Sequence, residues 1–161
     1  MLKFILPLCI ILFAISSCCK KIACVENKTI MVTFYGFTKA EVDTIYTTGY
    51  QLGSGFTTVG RPQQRDTAMH DNSNPDSVYS LFISMQYNGF TGFGAYGLND
   101  DYEWKLYIPA TGKTITIHNF GYQTYRCSNG CGFRKGQEVK SLSTCSVDNT
   151  TIPVGNIRIY K

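Results

Sequence analysis

The chain has 161 residues, of which 43% are hydrophobic, 16% are charged and 14% are aromatic, and its formal net charge is +4. Low charge combined with abundant tyrosine and phenylalanine argues against a disordered chain, and this length is typical of one compact domain. The positive charge is too small for a nucleic-acid-binding signature, so no nucleic-acid partner is expected.

The N-terminal residues have the order of parts found in a secretory signal. Lys3 supplies the positive end, and an apolar run of 12 residues follows it. This run is shorter than the roughly 20 residues that a membrane-spanning helix needs. Residues 15–18, Ile-Ser-Ser-Cys, then resemble the bacterial lipobox, after which the chain is cleaved and the cysteine receives lipid. We therefore predict a signal peptide at 1–17 and a lipidated leader at 18–27.

With lipid on Cys18, we expect the mature chain to be anchored to a membrane as its partner, because anchoring by several acyl chains is stable. Cys19, and not aspartate, follows the lipidated residue, which among bacterial lipoproteins favours transfer to the outer membrane. Lys20 and Lys21 stand where surface-exported lipoproteins often carry acidic residues, which favours a location facing the periplasm. The alternatives are a soluble secreted protein cut nearby and an uncleaved anchor.

The mature chain carries cysteines suited to disulfide bonds in an oxidising compartment. Two disulfides are predicted among four candidates, with three pairings open: Cys24, Cys127, Cys131 and Cys145. Cys19 is the expected leftover thiol, because it adjoins the lipid anchor. Zinc on the last three cysteines is the alternative. A second close pair is missing from the sequence and export favours disulfides, so no metal is expected.

The first part of the mature chain predicts two strands with a helical turn between them. Residues 28–37 carry β-branched and aromatic residues on both faces, which is typical of a strand near the core. Residues 38–41 have the spacing of a capping box and predict one helical turn. A second strand is expected over 42–50, and a Gly-Ser-Gly turn follows within 52–59.

Two loops are predicted in the middle of the chain, with a strand between them. Residues 60–76 are polar and lack periodicity, which predicts a loop. Residues 77–87 alternate well enough to predict a strand with one covered face. Residues 88–101 are rich in glycine and aromatic residues and form the second predicted loop.

The clearest hairpin of the sequence lies in its last third. Residues 102–109 and 113–122 flank an Ala-Thr-Gly turn and predict two antiparallel strands. A cysteine-bearing loop is expected over 126–147, and a short final strand over 157–160. Trp104, the only tryptophan, is expected to fill the core.

Several short strands with turns about every ten residues predict an all-β fold. The expected architecture is an antiparallel two-sheet β-sandwich, immunoglobulin-like or transthyretin-like, stapled by disulfides. The Cys…Trp…Cys spacing of true immunoglobulin domains is missing from the sequence. Residues 28–161 are expected to form this single domain.

Four short features together resemble small lipoproteins of Bacteroidota. They are Ser-Ser-Cys18-Cys19-Lys-Lys, residues 41–45, the hairpin at 108–113 and the late cysteine cluster. The resemblance implies export and lipidation and supplies no activity. Proteins of that group are O-glycosylated at short Asp-Ser or Asp-Thr motifs. By this resemblance, Thr67 and Ser77, which flank the polar loop, are candidate glycosylation sites.

The glycine-rich stretch 86–97 carries aromatic rings that can stack on sugars or on partner side chains. Phe90, Phe93 and Tyr96 are candidate ligand-binding residues if the stretch is exposed, and core residues if it is covered. The expected function is a structural or binding module of the cell envelope, with a glycan or an envelope protein as partner. Carbohydrate binding is the more specific alternative.

No catalytic motif stands out in the sequence, so an enzyme is not expected and no cofactor is implied. His70 and His118 are candidate general bases, but the G-x-S-x-G elbow, the P-loop and the dinucleotide fingerprint are all missing from the sequence. Asp101 and Glu103 form a candidate carboxylate pair, although such neighbours are common at hairpin ends. An envelope hydrolase is the third hypothesis.

Overall fold

A computed structural model describes residues 28–70, 78–83, 86–87, 90–91, 95–127 and 137–161. Over this part the chain forms thirteen strands and one helix of four residues. It divides into two compact units, a larger one within residues 26–123 and 140–161 and a smaller one that includes residues 124–139.

The helix α1 spans Lys39–Val42. The first seven strands are β1 (Thr29–Tyr35), β2 (Ile45–Gln51), β3 (Val59–His70), β4 (Val78–Ile83), β5 (Gln86–Tyr87), β6 (Phe90–Thr91) and β7 (Ala95–Tyr96). The later strands are β8 (Leu98–Asn99), β9 (Tyr102–Ile108), β10 (Lys113–Cys127), β11 (Gln137–Val147), β12 (Thr150–Pro153) and β13 (Asn156–Tyr160).

Eleven of these strands form one sheet, whose main order is β12-β11-β10-β9-β2-β3-β4-β1-β13. Strands β7 and β8 join it by pairing with β4 and β1, and β5 pairs with β6 in a separate two-stranded sheet. Strands β10, β9, β2, β3, β4 and β1 pair antiparallel in succession, whereas β1 and β13 run parallel. The all-β, antiparallel prediction is confirmed, and the packing of two sheets stays a prediction.

The sheet of the larger unit folds back on itself. Only Val154 and Gly155 separate β12 from β13, the two ends of the strand order. Three steps along the chain span at most about 11 Å, whereas nine strands of a flat sheet would place its ends about 38 Å apart. Lys113 in β10 also donates a hydrogen bond of 2.5 Å from Nζ to the carbonyl oxygen of Tyr160 in β13.

Strands from both ends of the order share one apolar core. Its largest fully buried side chains are Trp104, Phe34, Phe37, Ile30, Ile45, Leu81, Leu98, Leu106, Ile108, Ile115, Ile117 and Ile157. In β2 and in most of β9, buried and more exposed positions alternate, so one face covers the core and the other meets solvent. Trp104 is 0% exposed, which confirms its predicted place in the core.

The predicted helical turn is confirmed as α1. The backbone N–H of Thr38 donates to Oε2 of Glu41 at 2.9 Å, which is one half of the capping box. The other oxygen of Glu41 lies 2.7 Å from Nζ of Lys161 at the C-terminal end of the chain. Hydrogen bonds from Lys161 and then from Thr38 hold the pKa of the Glu41 carboxyl below its ordinary value.

The loop predicted over 60–76 is wrong in its first part, because residues 59–70 form β3. Its residues up to Asp66 pair with β2, and residues 67–70 pair with β4. Its buried side chains are Asp66 and Ala68, and Asp66 accepts a hydrogen bond from the hydroxyl of Thr47. Because none of residues 59–65 is buried and one of the two buried side chains is a carboxylate, the apolar-polar alternation that identifies a strand is missing.

Two further predicted loops contain strands. Residues 137–147, in the second half of the predicted cysteine-bearing loop, form β11. Within the stretch 88–101, the residue pairs of β6, β7 and β8 are short strands of two residues each. Whether such a short strand forms depends on its neighbours in the sheet, and a window of local sequence does not contain that information.

Cys145 is not part of a disulfide, so its predicted place in a disulfide is wrong, and with it the second disulfide that each of the three open pairings required. Its thiol is free and 0% exposed, in β11 opposite Ile152 and within the apolar core. Burial raises the pKa of this thiol to about 11, so it stays protonated at neutral pH and packs as a small apolar side chain. Cys127 is disulfide-bonded. Cys24 and Cys131 lie outside the described residues.

Candidate ligand-binding site

Two turns meet beside each other in the larger unit. One connects β2 to β3 and covers residues 52–58, and the other precedes β9 and covers residues 100–101. Tyr50 of β2 lies opposite Glu103 of β9, so the turn after β2 adjoins the turn before β9. The backbone N–H of Gly53 donates to Oε1 of Glu103 at 3.2 Å, which ties the first turn to the start of β9.

A cavity with a volume of about 320 Å³ lies next to these turns. It is lined by Lys28, Leu52, Asp100, Asp101, Tyr122 and Lys140. Its volume is at the lower end of the range for small-molecule sites. Two carboxylates and two ammonium groups face this space, so its formal charge is balanced, with a phenol and one aliphatic side chain beside them.

Asp100 and Tyr122 interact in the lining of the cavity. Asp100 is 5% exposed. Burial first, then a hydrogen bond to Asp100 and the negative charges of Asp100 and Asp101, raise the pKa of the Tyr122 phenol. The phenol therefore remains protonated and donates to the carboxylate. Nζ of Lys140 lies 4.3 Å from the centre of the Tyr122 ring, which holds the ammonium over the ring face.

Buried oxygen atoms without a hydrogen-bond partner cluster around the same two turns. In the part of the chain that the structure describes, the buried side-chain atoms of this kind are Ser54 Oγ, Asn99 Oδ1, Asp100 Oδ1 and Glu103 Oε2. Leaving such a group unsatisfied costs about 1–3 kcal/mol, so a cluster of them requires an explanation. Asn99 Oδ1, Asp100 Oδ1 and Glu103 Oε2 can only accept hydrogen bonds while the carboxyls are ionised, whereas Ser54 Oγ is a hydroxyl and can also donate. The unpartnered buried atoms around these turns are therefore acceptors, apart from the Ser54 hydroxyl.

An aromatic group stands on the solvent side of β2, β9 and β10. It consists of Tyr50, Phe56 and His118 together with Lys105, and all four side chains are half-buried. The ring of Phe56 meets those of Tyr50 and His118 edge to face, with centroids 5.5 Å apart in each pair. Nζ of Lys105 lies 5.2 Å from the Tyr50 ring centre and 5.5 Å from that of Phe56.

Phe56 holds this group together in a backbone conformation that rarely suits a bulky residue. Its φ is +62°, directly after Gly55 at +60°, in the turn between β2 and β3. Glycine adopts this left-handed region freely, whereas a residue with a Cβ pays about 1–2 kcal/mol. The ring is half-exposed and lies outside the core cluster, so apolar burial in the core does not explain the strain.

The ligand-binding residues predicted from sequence fall largely outside what the structure describes. Phe90 begins β6 and Tyr96 ends β7, but the described part covers only their backbone. Phe93 lies outside the described residues. A glycan-binding role for the stretch 86–97 stays a prediction.

Of the two predicted O-glycosylation sites, Thr67 and Ser77, the structure describes Thr67. Thr67 is half-buried in β3, opposite Phe82 of β4, and is not in a loop. The aspartate of its motif, Asp66, is buried and bonded to Thr47. Ser77 lies outside the described residues. Modification of either residue stays a prediction.

The candidate catalytic side chains lie in different surroundings. His70 packs edge to face on Tyr79 at 5.3 Å, and His118 belongs to the aromatic group. Glu103 is 5% exposed under the first turn, whereas Asp101 is exposed and accepts from Nδ2 of Asn99 at 2.7 Å.

Sequence reasoning placed none of the cavity residues in a common site. Asp100, Tyr122 and Lys140 come from a turn and two strands that only the sheet register brings together. The one sequence signal nearby is the Asn-Asp-Asp cluster at 99–101, which marks a turn by its composition.

The described residues hold no group of three His, Cys, Asp or Glu side chains that could bind a metal ion. Over the same part of the chain, no helix is long and apolar enough to cross a membrane. No protein-family model, curated protein or solved structure matches this chain.

Proposed function

We propose that the protein is a lipid-anchored binding module of the bacterial cell envelope, and that its cavity binds the hydroxyl groups of a carbohydrate. The anchor is the lipid on Cys18, as in the Bacteroidota lipoproteins that the chain resembles, and it places the domain at the outer membrane. Binding occurs without turnover.

The unpartnered buried acceptors around Asp100 support this proposal. Each hydroxyl of a sugar donates one hydrogen bond and accepts others, so a sugar can donate to an unpartnered oxygen and accept from Lys28 and Lys140 in the same cavity. Asp100 combines an unpartnered Oδ1 with a position in the cavity lining. It is therefore the acceptor that a bound hydroxyl would satisfy at the lowest cost.

The charges around the cavity favour a neutral ligand over a cation. An ammonium or metal ion would also satisfy orphaned carboxylates, but Lys28 and Lys140 line the same space and repel positive charge. A hydroxyl group accepts from the lysines and donates to Asp100 without adding charge. The aromatic ring of Tyr122 offers an apolar face for the C–H groups of a sugar.

Asp100→Asn should weaken sugar binding about tenfold or more, because the hydrogen bond it alters is to a charged acceptor worth about 1.5–3 kcal/mol. The measurement is titration calorimetry on the full-length protein in detergent with glucose, galactose and N-acetylglucosamine. Asp43→Asn is the matched control, since Asp43 is exposed beyond α1 and lies outside the cavity. The sugar affinity of this variant should equal that of the wild type. Failure of all three sugars to bind, or equal affinity in Asp100→Asn, would contradict the proposal.

Cys18→Ala should remove the protein from the membrane fraction and abolish incorporation of radiolabelled palmitate, because only the thiol at the lipobox can take the lipid. Cys19→Ala is the control and should leave both unchanged. Retention of label in Cys18→Ala would rule out this anchor.

A further inference from the structure

We propose that the ligand is a chain of linked sugars, and that the aromatic group of Tyr50, Phe56, His118 and Lys105 binds the unit next to the one in the cavity. This inference rests on the proposed function and deepens it by naming a second subsite. It concerns an oligosaccharide or polysaccharide in place of a single sugar.

The two subsites share one turn of the chain. Leu52 lines the cavity, and Phe56, four positions later in the same turn, is the centre of the aromatic group. Tyr50 lies opposite Glu103, which follows the cavity residues Asp100 and Asp101 after one further residue. A ligand that leaves the cavity past Leu52 therefore meets the aromatic group next.

The strain at Phe56 points to a ligand. Glycine or asparagine would satisfy a φ of +62° at less cost, and the phenylalanine ring gains no place in the core. Residues held in such conformations concentrate at binding sites, where the surrounding contacts compensate the strain. Here those contacts are two edge-to-face rings and one ammonium group, and all of them leave part of the ring in solvent.

The chemistry of the group suits a sugar ring. Half-exposed aromatic rings offer apolar surface for the axial C–H groups of a pyranose. The ammonium of Lys105 lies over the Tyr50 and Phe56 rings and the imidazole of His118 packs edge to face on Phe56, so both groups are placed to hydrogen-bond the hydroxyls of a sugar bound beside them. Apolar surface with polar groups around it matches a sugar, which has apolar faces and a polar rim.

The test compares a monosaccharide with its β-linked trisaccharide by titration calorimetry, using glucose with cellotriose and N-acetylglucosamine with chitotriose. The trisaccharide should bind the full-length protein at least tenfold more tightly than the monosaccharide, beyond the threefold advantage of its three units. Phe56→Asn and Tyr50→Ala should each reduce trisaccharide affinity to that of the monosaccharide and leave monosaccharide affinity unchanged. Asparagine accepts the positive φ, so Phe56→Asn relieves strain and keeps the fold.

Tyr160→Ala is the control, because Tyr160 is 59% exposed and pairs with Tyr35 in β1, outside both subsites. It should leave every affinity unchanged. Equal binding of monosaccharide and trisaccharide, or an unchanged trisaccharide affinity in Phe56→Asn and Tyr50→Ala, would overturn the second subsite and leave the cavity proposal standing. If neither sugar size binds, the proposed function fails and the second subsite fails with it.

Discussion

Trp104→Ala should lower the free energy of unfolding by about 3–5 kcal/mol, the usual cost of removing a large aromatic side chain from a core. The Trp104 side chain is fully buried and its indole N–H donates to the carbonyl oxygen of Asn99 at 2.7 Å. It also meets Tyr102 edge to face at 5.8 Å and lies beneath the guanidinium of Arg61 at 5.5 Å. Its removal leaves a cavity and takes the indole donor away from the carbonyl oxygen of Asn99 in β8. Urea denaturation followed by far-ultraviolet circular dichroism measures the loss.

Trp104→Phe separates these two contributions. It keeps most of the apolar volume and loses the hydrogen bond to Asn99, so it should cost clearly less than the alanine variant. The exposed ring of Tyr160 provides the second control, and Tyr160→Ala should change the free energy of unfolding by no more than about 1 kcal/mol. A loss below about 1 kcal/mol in Trp104→Ala would show that this residue is not part of a well-packed core.

Gly97→Ala should destabilise the fold by about 3 kcal/mol or more, because an added methyl group meets the backbone. Gly97 has a φ of +101°, and a Cβ at this position would lie 2.5 Å from the carbonyl oxygen of Ile30 and 2.7 Å from Cγ2 of Thr29. Strain at such a φ costs about 1–3 kcal/mol, and overpacking costs a similar amount again. Either β8 must move away from β1 or the pairing of Leu98 with Ile30 must break.

Gly112→Ala is the matched control for this prediction. Its φ of +67° is also left-handed, but a Cβ there has no other atom within 4 Å. It should therefore cost only the conformational strain of about 1–2 kcal/mol. Equal losses in the two variants, measured by urea denaturation, would show that the contact with Ile30 relaxes freely.

Local patterns in the sequence were sufficient to predict an element wherever its own residues determine its structure. The hairpin of β9 and β10 has alternating strands on both sides of a turn, and its register follows from that pattern. The helical turn at residues 38–41 is specified by its capping residues. Both are contained in windows of about twenty residues or fewer, and both were predicted.

The missed elements depend on partners far away in the sequence. Strand β3 looks like a loop because none of residues 59–65 is buried and one of its two buried side chains is the carboxylate of Asp66, which accepts a hydrogen bond from Thr47 on the neighbouring strand. Cys145 was predicted to be a disulfide cysteine because the chain is expected to be exported, and only its place opposite Ile152 shows that it is a core residue. Neither fact is visible before the strand order is known.

The candidate site was missed for the same reason. Aromatic residues on a glycine-rich stretch are visible in the sequence, so the binding prediction centred on residues 86–97. Tyr50, Phe56 and His118 come from separate elements, and the register between β2, β9 and β10 brings them together. The unpartnered oxygen of Asp100 is a property of packing, which composition and spacing do not encode.

The parallel pairing of β1 with β13 determines when this protein can complete its fold. The first described strand takes one neighbour from residues 156–160, and its Met31 pairs with Asn156, 125 residues later in the sequence. Until those residues have been synthesised, one edge of β1, with Val32 and Phe34, remains open to pairing with other chains. Pairing across so long a stretch of sequence is slow, with folding times of milliseconds to seconds. A chain without residues 156–161 therefore leaves the backbone of this edge of β1 without its partner strand.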